Sequence, residues 1–285
     1  MTAEAKYNEL KAILREMGEV TVAYSGGVDS SFLLKTAHDE LKDKALGVMA
    51  DSPSLPRREF EKAREVARLI GARLMIIETR EFENQDYLDN PVNRCFFCKS
   101  ELFSRIEEIA GDKRFRNVID GSNLDDEGDY RPGMKAKENH MVRSPLKEAG
   151  LTKAEIRELS RKLGLPTWDK DELACLSSRF PYGEKITIKK VRMVEEAENF
   201  LTDLGFRNVR ARHSGTSVRI EVDPSQISML LDPAVRVDIA SKFRKIGYKQ
   251  VSVDLEGYRR GSLNAAAGIH NRKENIDTTK IRILR

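Results

Sequence analysis

Tyr24-Ser25-Gly26-Gly27-Val28-Asp29-Ser30-Ser31 constrains this chain more than any other stretch. It follows an apolar run, Val20 to Ala23, with strand character. It precedes Phe32-Leu33-Leu34-Lys35-Thr36-Ala37, with helix character. A strand that breaks at paired glycines and restarts as a helix aims several backbone N–H groups at one spot. The positive end of the helix dipole lies there too. Such a spot binds phosphate. Gly26 and Gly27 permit the tight turn and let an anion approach the backbone. Ser25, Ser30 and Ser31 add hydroxyl donors, and Asp29 is suited to hold Mg2+ against the phosphates.

No Gly-Lys-Ser/Thr follows and no lysine sits in the loop, so this is not the Walker P-loop. The stretch resembles the PP-loop of the ATP pyrophosphatase superfamily, with its pattern SGGxDS. An ordinary glycine-rich βα turn is the plainer alternative, but the strand–turn–helix context favours the PP-loop. The resemblance implies ATP cleaved between its α and β phosphates and a substrate oxygen adenylated. The released pyrophosphate would stay in the loop. It also implies an adenine nucleotide alpha hydrolase-like sheet.

The chain continues in α/β order. Residues 4–17 predict a short amphipathic helix, and Lys44 to Ala50 a second strand. Arg57 to Ile70 predict a helix closed by Gly71, followed by a strand over Leu74 to Glu78. A fourth strand is predicted over Asn117 to Asp120. A helix over Thr152 to Leu163 opens on a Thr152/Glu155 capping box. Strands alternating with helices through short connections imply a parallel, doubly wound sheet, with ligands at the C-terminal strand ends. Residues 128–140, rich in Gly, Pro and charge, predict a mobile or ligand-ordered loop. After an irregular stretch at 166–187 the pattern changes. Ile188 to Leu204 predict a helix, Asn208 to His213 and Ser217 to Val222 strands, Pro224 to Ile246 a helical region, and Gln250 to Leu255 a strand. The expected division is a PP-loop domain at 1–180, a smaller α+β domain at 181–260 and a polar, partly disordered tail at 261–285.

The net charge of +4 suits anionic nucleotides as substrates. Acids and bases alternate along the whole chain, so nucleic acid is not an expected partner. No apolar run is long enough to span a membrane, and the N-terminal residues lack the apolar segment of a signal peptide. The expected location is the cytoplasm.

Cys95, Cys98 and Cys175 are the cysteines of the chain. An odd number in a cytoplasmic protein argues against a disulfide framework. Cys95 and Cys98 have C-x-x-C spacing at a helix start, and Cys175 lies in a separate loop. Three converging thiolates could hold a [4Fe–4S] cluster with one iron left open for a hydrosulfide. Structural zinc is an alternative, with His38, His140, His213 or His270 as the fourth ligand. A redox pair is another, and Cys175 acting alone as sulfur donor a third.

Several further stretches sharpen the reading: Arg94-Cys95-Phe96-Phe97-Cys98-Lys99, Gly121-Ser122-Asn123-Leu124-Asp125-Asp126, Asp129-Tyr130-Arg131-Pro132-Gly133, Ala174-Cys175-Leu176-Ser177-Ser178-Arg179 and Asp254-Leu255-Glu256-Gly257-Tyr258-Arg259. With the loop, they resemble the LarE family, ATP-dependent sulfur transferases of nickel-pincer nucleotide biosynthesis. The resemblance implies that a carboxylate of pyridinium-3,5-biscarboxylic acid mononucleotide attacks the α phosphate of ATP, and that sulfur then displaces AMP to give a thiocarboxylate. It implies adenine contact at the end of the second strand, near Met49, and a homo-oligomer with sites at subunit contacts. In one branch of the family the cysteine at position 175 gives up its own sulfur. In the other, three cysteines bind a [4Fe–4S] cluster that relays sulfide from a donor still to be named. Cysteine at 95, 98 and 175 favours the second branch.

Arg210, Arg212 and His213 end a predicted strand, and Arg259 and Arg260 follow another. Arginine suits bidentate capture of the substrate phosphate, although a solvated charged face is the plainer role. Glu221, Asp125 and Asp126 are weaker candidates, and Trp168 is expected to pack under its loop. Three rival functions share parts of this pattern: cluster-dependent tRNA thiolation, a nucleotide sensor without chemistry, and an amide-forming ligase similar to NAD synthetase.

Overall fold

The computed structural model describes residues 1–113, 117–126, 132–172 and 174–259. The predicted tail at 261–285 and the Asp129-Tyr130-Arg131 part of the family motif lie outside the described residues.

Helix α1 (Ala3–Met17) leads into β1 (Val20–Ala23), followed by α2 (Val28–Leu41), β2 (Ala45–Asp51), α3 (Arg57–Ile70) and β3 (Arg73–Glu78). A short α4 (Gln85–Leu88) and the long α5 (Arg94–Lys113) precede β4 (Asn117–Asp120). The four strands are parallel, in the order β3-β2-β1-β4. Successive strand residues face opposite sides of a sheet. Val20, Val22, Met49 and Ile119 accordingly pack with Leu10, Leu14, Phe32 and Leu34 on one face. Leu46, Val48 and Val118 pack with Phe103 and Ile106 on the other. The result is the expected doubly wound α/β sheet, apolar on both faces, with all four strands ending at one edge.

Helices α6 (Pro132–Asn139), α7 (Pro145–Glu148) and α8 (Lys153–Lys162) follow β4. Helix α6 corrects the loop expected at 128–140, because Ala136 is fully buried in the core beside α5. The capping box of α8 forms as expected from Thr152 and Glu155.

Beyond a 3-10 turn at Leu176–Arg179, α9 (Ile188–Asp203) packs on a second sheet of β5 (Arg210–Ser214), β6 (Ser217–Glu221) and β7 (Gln250–Val253). Strand β5 begins two residues later than expected because Asn208 takes φ of +52°. The helical region expected over Pro224 to Ile246 is split into a 3-10 turn, α10 (Ile227–Leu230) and α11 (Pro233–Ile246). Asp232 accepts hydrogen bonds from the Ala234 and Val235 amides and so caps α11, while Pro233 has no N–H with which to continue α10. The second core gathers Val194, Leu201, Ile220 and Phe243, and reaches back to Leu176 and Phe180. No described helix is long and apolar enough to cross a membrane.

Gly26 sits at φ of +72°, where an added Cβ would lie 2.3 Å from Ala63 Cβ of α3. Gly71 also has a left-handed backbone, but its nearest neighbour would be at an ordinary 3.5 Å. Gly71→Ala is therefore expected to cost about 1–2 kcal/mol from the backbone alone. Gly26→Ala adds overpacking and should cost about 2–5 kcal/mol. Thermal unfolding of the two variants checks this; equal losses would show that α3 gives way freely.

Candidate functional site

The activation half lies where β1 meets α2. Ser30 Oγ accepts from the Ser25 amide at 3.2 Å and lies 3.0 Å from Ser25 Oγ, closing the turn across the two glycines. Gly121, just after β4, approaches from the other side; a Cβ there would be 2.9 Å from the Ser30 amide nitrogen. Absent side chains thus let α3 and the β4 end crowd the loop, while α2 directs its first N–H groups into it.

Asp29 stands in the first turn of α2. It pairs with the Lys153 ammonium and accepts from the Asn123 carboxamide at 3.3 Å. Burial raises its carboxyl above the ordinary range, and Lys153 opposes that shift. Lys170 donates to the Gly26 carbonyl at 3.0 Å and pairs with Glu59 at 2.8 Å. Two ammonium groups therefore flank a loop that has no lysine of its own. Neither was foreseen, because Lys153 and Lys170 lie far along the chain and carry no local signal. Met49 is fully buried in the first core, so a base at the end of β2 would meet its backbone rather than its side chain.

The sulfur half is built from α4, α5 and the turn at Leu176–Arg179. Cys95 and Cys98 lie in the first turns of α5, and Cys175 directly precedes the 3-10 turn. Tyr87 Oη and Ser177 Oγ share a hydrogen bond of 2.7 Å. Arg94 donates to the Ser177 carbonyl at 2.9 Å and to the Asn90 carboxamide oxygen. Asn90 in turn donates to the Pro181 carbonyl at 2.7 Å. These bonds fasten the C-x-x-C helix to the Cys175 loop. The Leu176 amide donates to Ser54 O at 2.8 Å, which ties the same loop to the end of β2. Arg179, also buried, forks onto Glu198 at 2.8 and 2.9 Å and donates to the carbonyls of Ala174 and Cys175 at 2.9 and 3.0 Å. Arg94, Arg179 and Glu198 are thus positioning groups that sequence reasoning did not single out. The only signal was their place within the two cysteine motifs or on α9.

The three thiols share one neighbourhood. Burial pushes Cys98 well up, and the Glu81 carboxylate and the sulfurs of Cys175 and Cys95 push it further. Burial and then Cys175 raise Cys95, while Arg94 and Lys99 oppose the shift. Among the described residues, no group of three or more His, Cys, Asp or Glu side chains could hold a single metal ion. His213 is committed to Tyr248 and Glu184, and His140 to Glu107, so neither supports the zinc alternative; His270 lies outside the described residues. A four-iron cube spaces its thiolates more widely than one ion does. Three free thiols within one another's fields, beside a buried guanidinium, are a chemically fitting donor set for it.

The candidate phosphate arginines separate. Arg212 pairs with buried Glu221 at 2.8 Å and donates to Ser178 O at 3.0 Å, so it reaches the Cys175 loop. Arg210 lies over the Tyr258 ring at 4.6 Å, and burial beside Arg179 lowers its pKa. Arg259 is exposed and paired with Glu256. His213 is a core residue against Phe180 and Tyr248. Trp168 is partly exposed, with Arg161 over its ring. A cavity of about 230 Å³ beside the β4 end is lined by Lys99, Lys137, Lys147, Ser122 and Ser144 among others.

No protein-family model matches the chain. It is 36% identical over 265 residues to the pyridinium-3,5-bisthiocarboxylic acid mononucleotide synthase of Lactiplantibacillus plantarum, covering 92% of this chain and 95% of the relative. The chain belongs to this LarE-type synthase family. As a member it is an ATP-dependent sulfurtransferase. A second relative, an uncharacterised protein of Synechocystis, is 43% identical over 92% of this chain and 97% of its own length. The wider superfamily is visible in a glutamine-hydrolysing GMP synthase of Archaeoglobus fulgidus, 30% identical over 69% of each chain. That distribution fits the geometry, since the activation half is common to the PP-loop enzymes and the C-x-x-C half is not needed for making an amide.

Because folding raises the Asp29 carboxyl, the folded state favours its protonated form. The resulting penalty is absent below the ordinary carboxylate range and sets in as pH rises through the raised value. Asp29→Asn is therefore expected to raise the melting temperature near neutral pH and to give no advantage near pH 3. The same difference at both pH values would sink this account of the loop.

Proposed function

We propose that this protein adenylates a carboxylate of pyridinium-3,5-biscarboxylic acid mononucleotide and replaces the AMP with sulfur, as a step of nickel-pincer nucleotide biosynthesis. The observation that carries the reading is a junction. The Cys175 loop is bonded both to the end of β2, on the nucleotide edge of the sheet, and to the C-x-x-C helix. One carbonyl carbon bound there could be activated from one side and receive sulfur from the other.

In the first step the substrate carboxylate oxygen forms a bond to the α phosphorus of ATP. The bond to the bridging oxygen breaks, and pyrophosphate leaves with that electron pair. Ser25, Gly26, Gly27 and Ser30 hold the phosphates, and Asp29 holds Mg2+. The Lys153 and Lys170 ammonium groups offset the charge that develops on the leaving pyrophosphate. The nucleotide edge near Met49 receives the adenine. In the second step sulfur bonds to the carbonyl carbon and AMP departs with the electrons of the C–O bond. Arg210 and Arg212 orient the substrate phosphate, with Arg259 entering only by leaving Glu256. Cys95, Cys98 and Cys175 would hold a [4Fe–4S] cluster, which when bound supplies an iron-ligated sulfide as the sulfur source. The division into a PP-loop domain to residue 180 and a smaller domain to 260 belongs to this proposal. So do the homo-oligomer, the cytoplasmic setting and an external sulfide donor.

The test combines anaerobic purification, iron and sulfide analysis, and turnover with ATP, Mg2+ and the pyridinium biscarboxylate. Pyrophosphate release should depend on the pyridinium substrate, Cys175 should keep its sulfur after many turnovers, and each Cys→Ser exchange should abolish the cluster. Pyrophosphate release without that substrate would overturn the adenylation. A colourless protein that converts Cys175 to dehydroalanine would replace the cluster by the sacrificial route. Thiolation of tRNA in preference to the pyridinium compound would reassign the substrate.

A further inference from the structure

Arg94 is 5% exposed, and its guanidinium donates only to neutral oxygens, those of Asn90 and Ser177. Among the described residues no carboxylate pairs with it. Removing a guanidinium from water costs several kcal/mol, and neutral acceptors do not balance its charge. Arginine cannot escape by losing its proton. An anion therefore belongs beside it in the working protein.

The chain itself says which groups are near. Arg94 immediately precedes Cys95, and its acceptor Ser177 is two residues beyond Cys175. Tyr87, which shares Ser177, is pushed far up by burial and stays neutral. The thiols of Cys95 and Cys175 remain. On the Cys98 side lies Glu81, itself 1% exposed. One of its oxygens is bonded to the Ser52 hydroxyl and the other is buried with no hydrogen-bond partner. The two fixed charges thus flank the three sulfurs with opposite sign.

We propose that Arg94 is the built-in counter-charge of a thiolate-ligated cluster, compensating the negative charge on the Cys95 and Cys175 side, while Glu81 biases the Cys98 side the other way. This rests on the cluster reading above. Arg94 acts through the thiolates and is a positioning residue. Its charge favours an added electron and holds the anionic centre in place, and the Glu81 carboxylate disfavours an added electron.

The test uses anaerobically reconstituted full-length protein, with two readouts that do not depend on turnover. These are iron retained against a chelator and the midpoint potential from an EPR-monitored redox titration. Arg94→Gln should shed iron at least about tenfold faster, equivalent to roughly 1.4 kcal/mol, and shift the potential negative. Arg94→Lys, which keeps the charge, should hold the wild-type potential. Glu81→Gln should shift it positive. Tyr87→Phe loosens the same brace without changing charge and should leave the potential where it was. An unchanged potential in both Arg94→Gln and Glu81→Gln would overturn the proposal. So would Arg94→Lys or Tyr87→Phe shifted as far as Arg94→Gln, which would assign Arg94 to bracing alone. If the wild-type protein takes up no iron, the cluster reading itself fails and this inference with it.

Discussion

The stretch from Cys175 to Arg179 is held from three sides, and the site depends on that. Ser54 at the end of β2 accepts its Leu176 amide. Tyr87 and Arg94, on the C-x-x-C side, take hold of Ser177. Glu198 of α9 takes the fork of Arg179. Breaking a buried pair such as Arg179–Glu198 by removing one partner typically costs about 3–5 kcal/mol, because the other charge is left uncompensated. The loop that carries the third cysteine is thus fixed by partners that belong to the nucleotide edge, the thiol helix and the second core.

Both halves of the site use buried charge in ways a stable core would avoid. Asp29 is buried against Lys153, although its carboxyl prefers to be protonated there. Arg94 and Glu81 are buried beside thiols, without an opposite charge fully paired to either. Groups held in this way are expensive for folding and suited to binding, since a phosphate, a metal ion or a thiolate cluster supplies the missing charge. Lys153 and Lys170 show the same logic at the loop, where two ammonium groups await the phosphates on partners they can exchange.

The sequence by itself determined the sheet, the loop and the chemistry-bearing residues. Val20–Ala23 followed by two glycines leaves few alternatives to a strand, a turn and a helix that binds phosphate, because those glycines alone tolerate the turn and the approach of Ala63. The Thr152/Glu155 cap and the Gly71 stop were equally legible, since each depends on residues within one helical turn. Regions that depend on distant packing were not legible. Helix α6 forms because Ala136 finds a core beside α5, and the break at Asp232 arises from a local cap strong enough to interrupt a continuous apolar pattern. The tertiary structure alone decided that Lys153 and Lys170 serve the loop, that Arg212 reaches the Cys175 segment while Arg259 does not, and that Arg94 and Glu81 face the thiols with opposite charge. Periodicity and motif spacing encode only neighbours along the chain, whereas these pairings form across segments that meet when the helices close over the sheet edge.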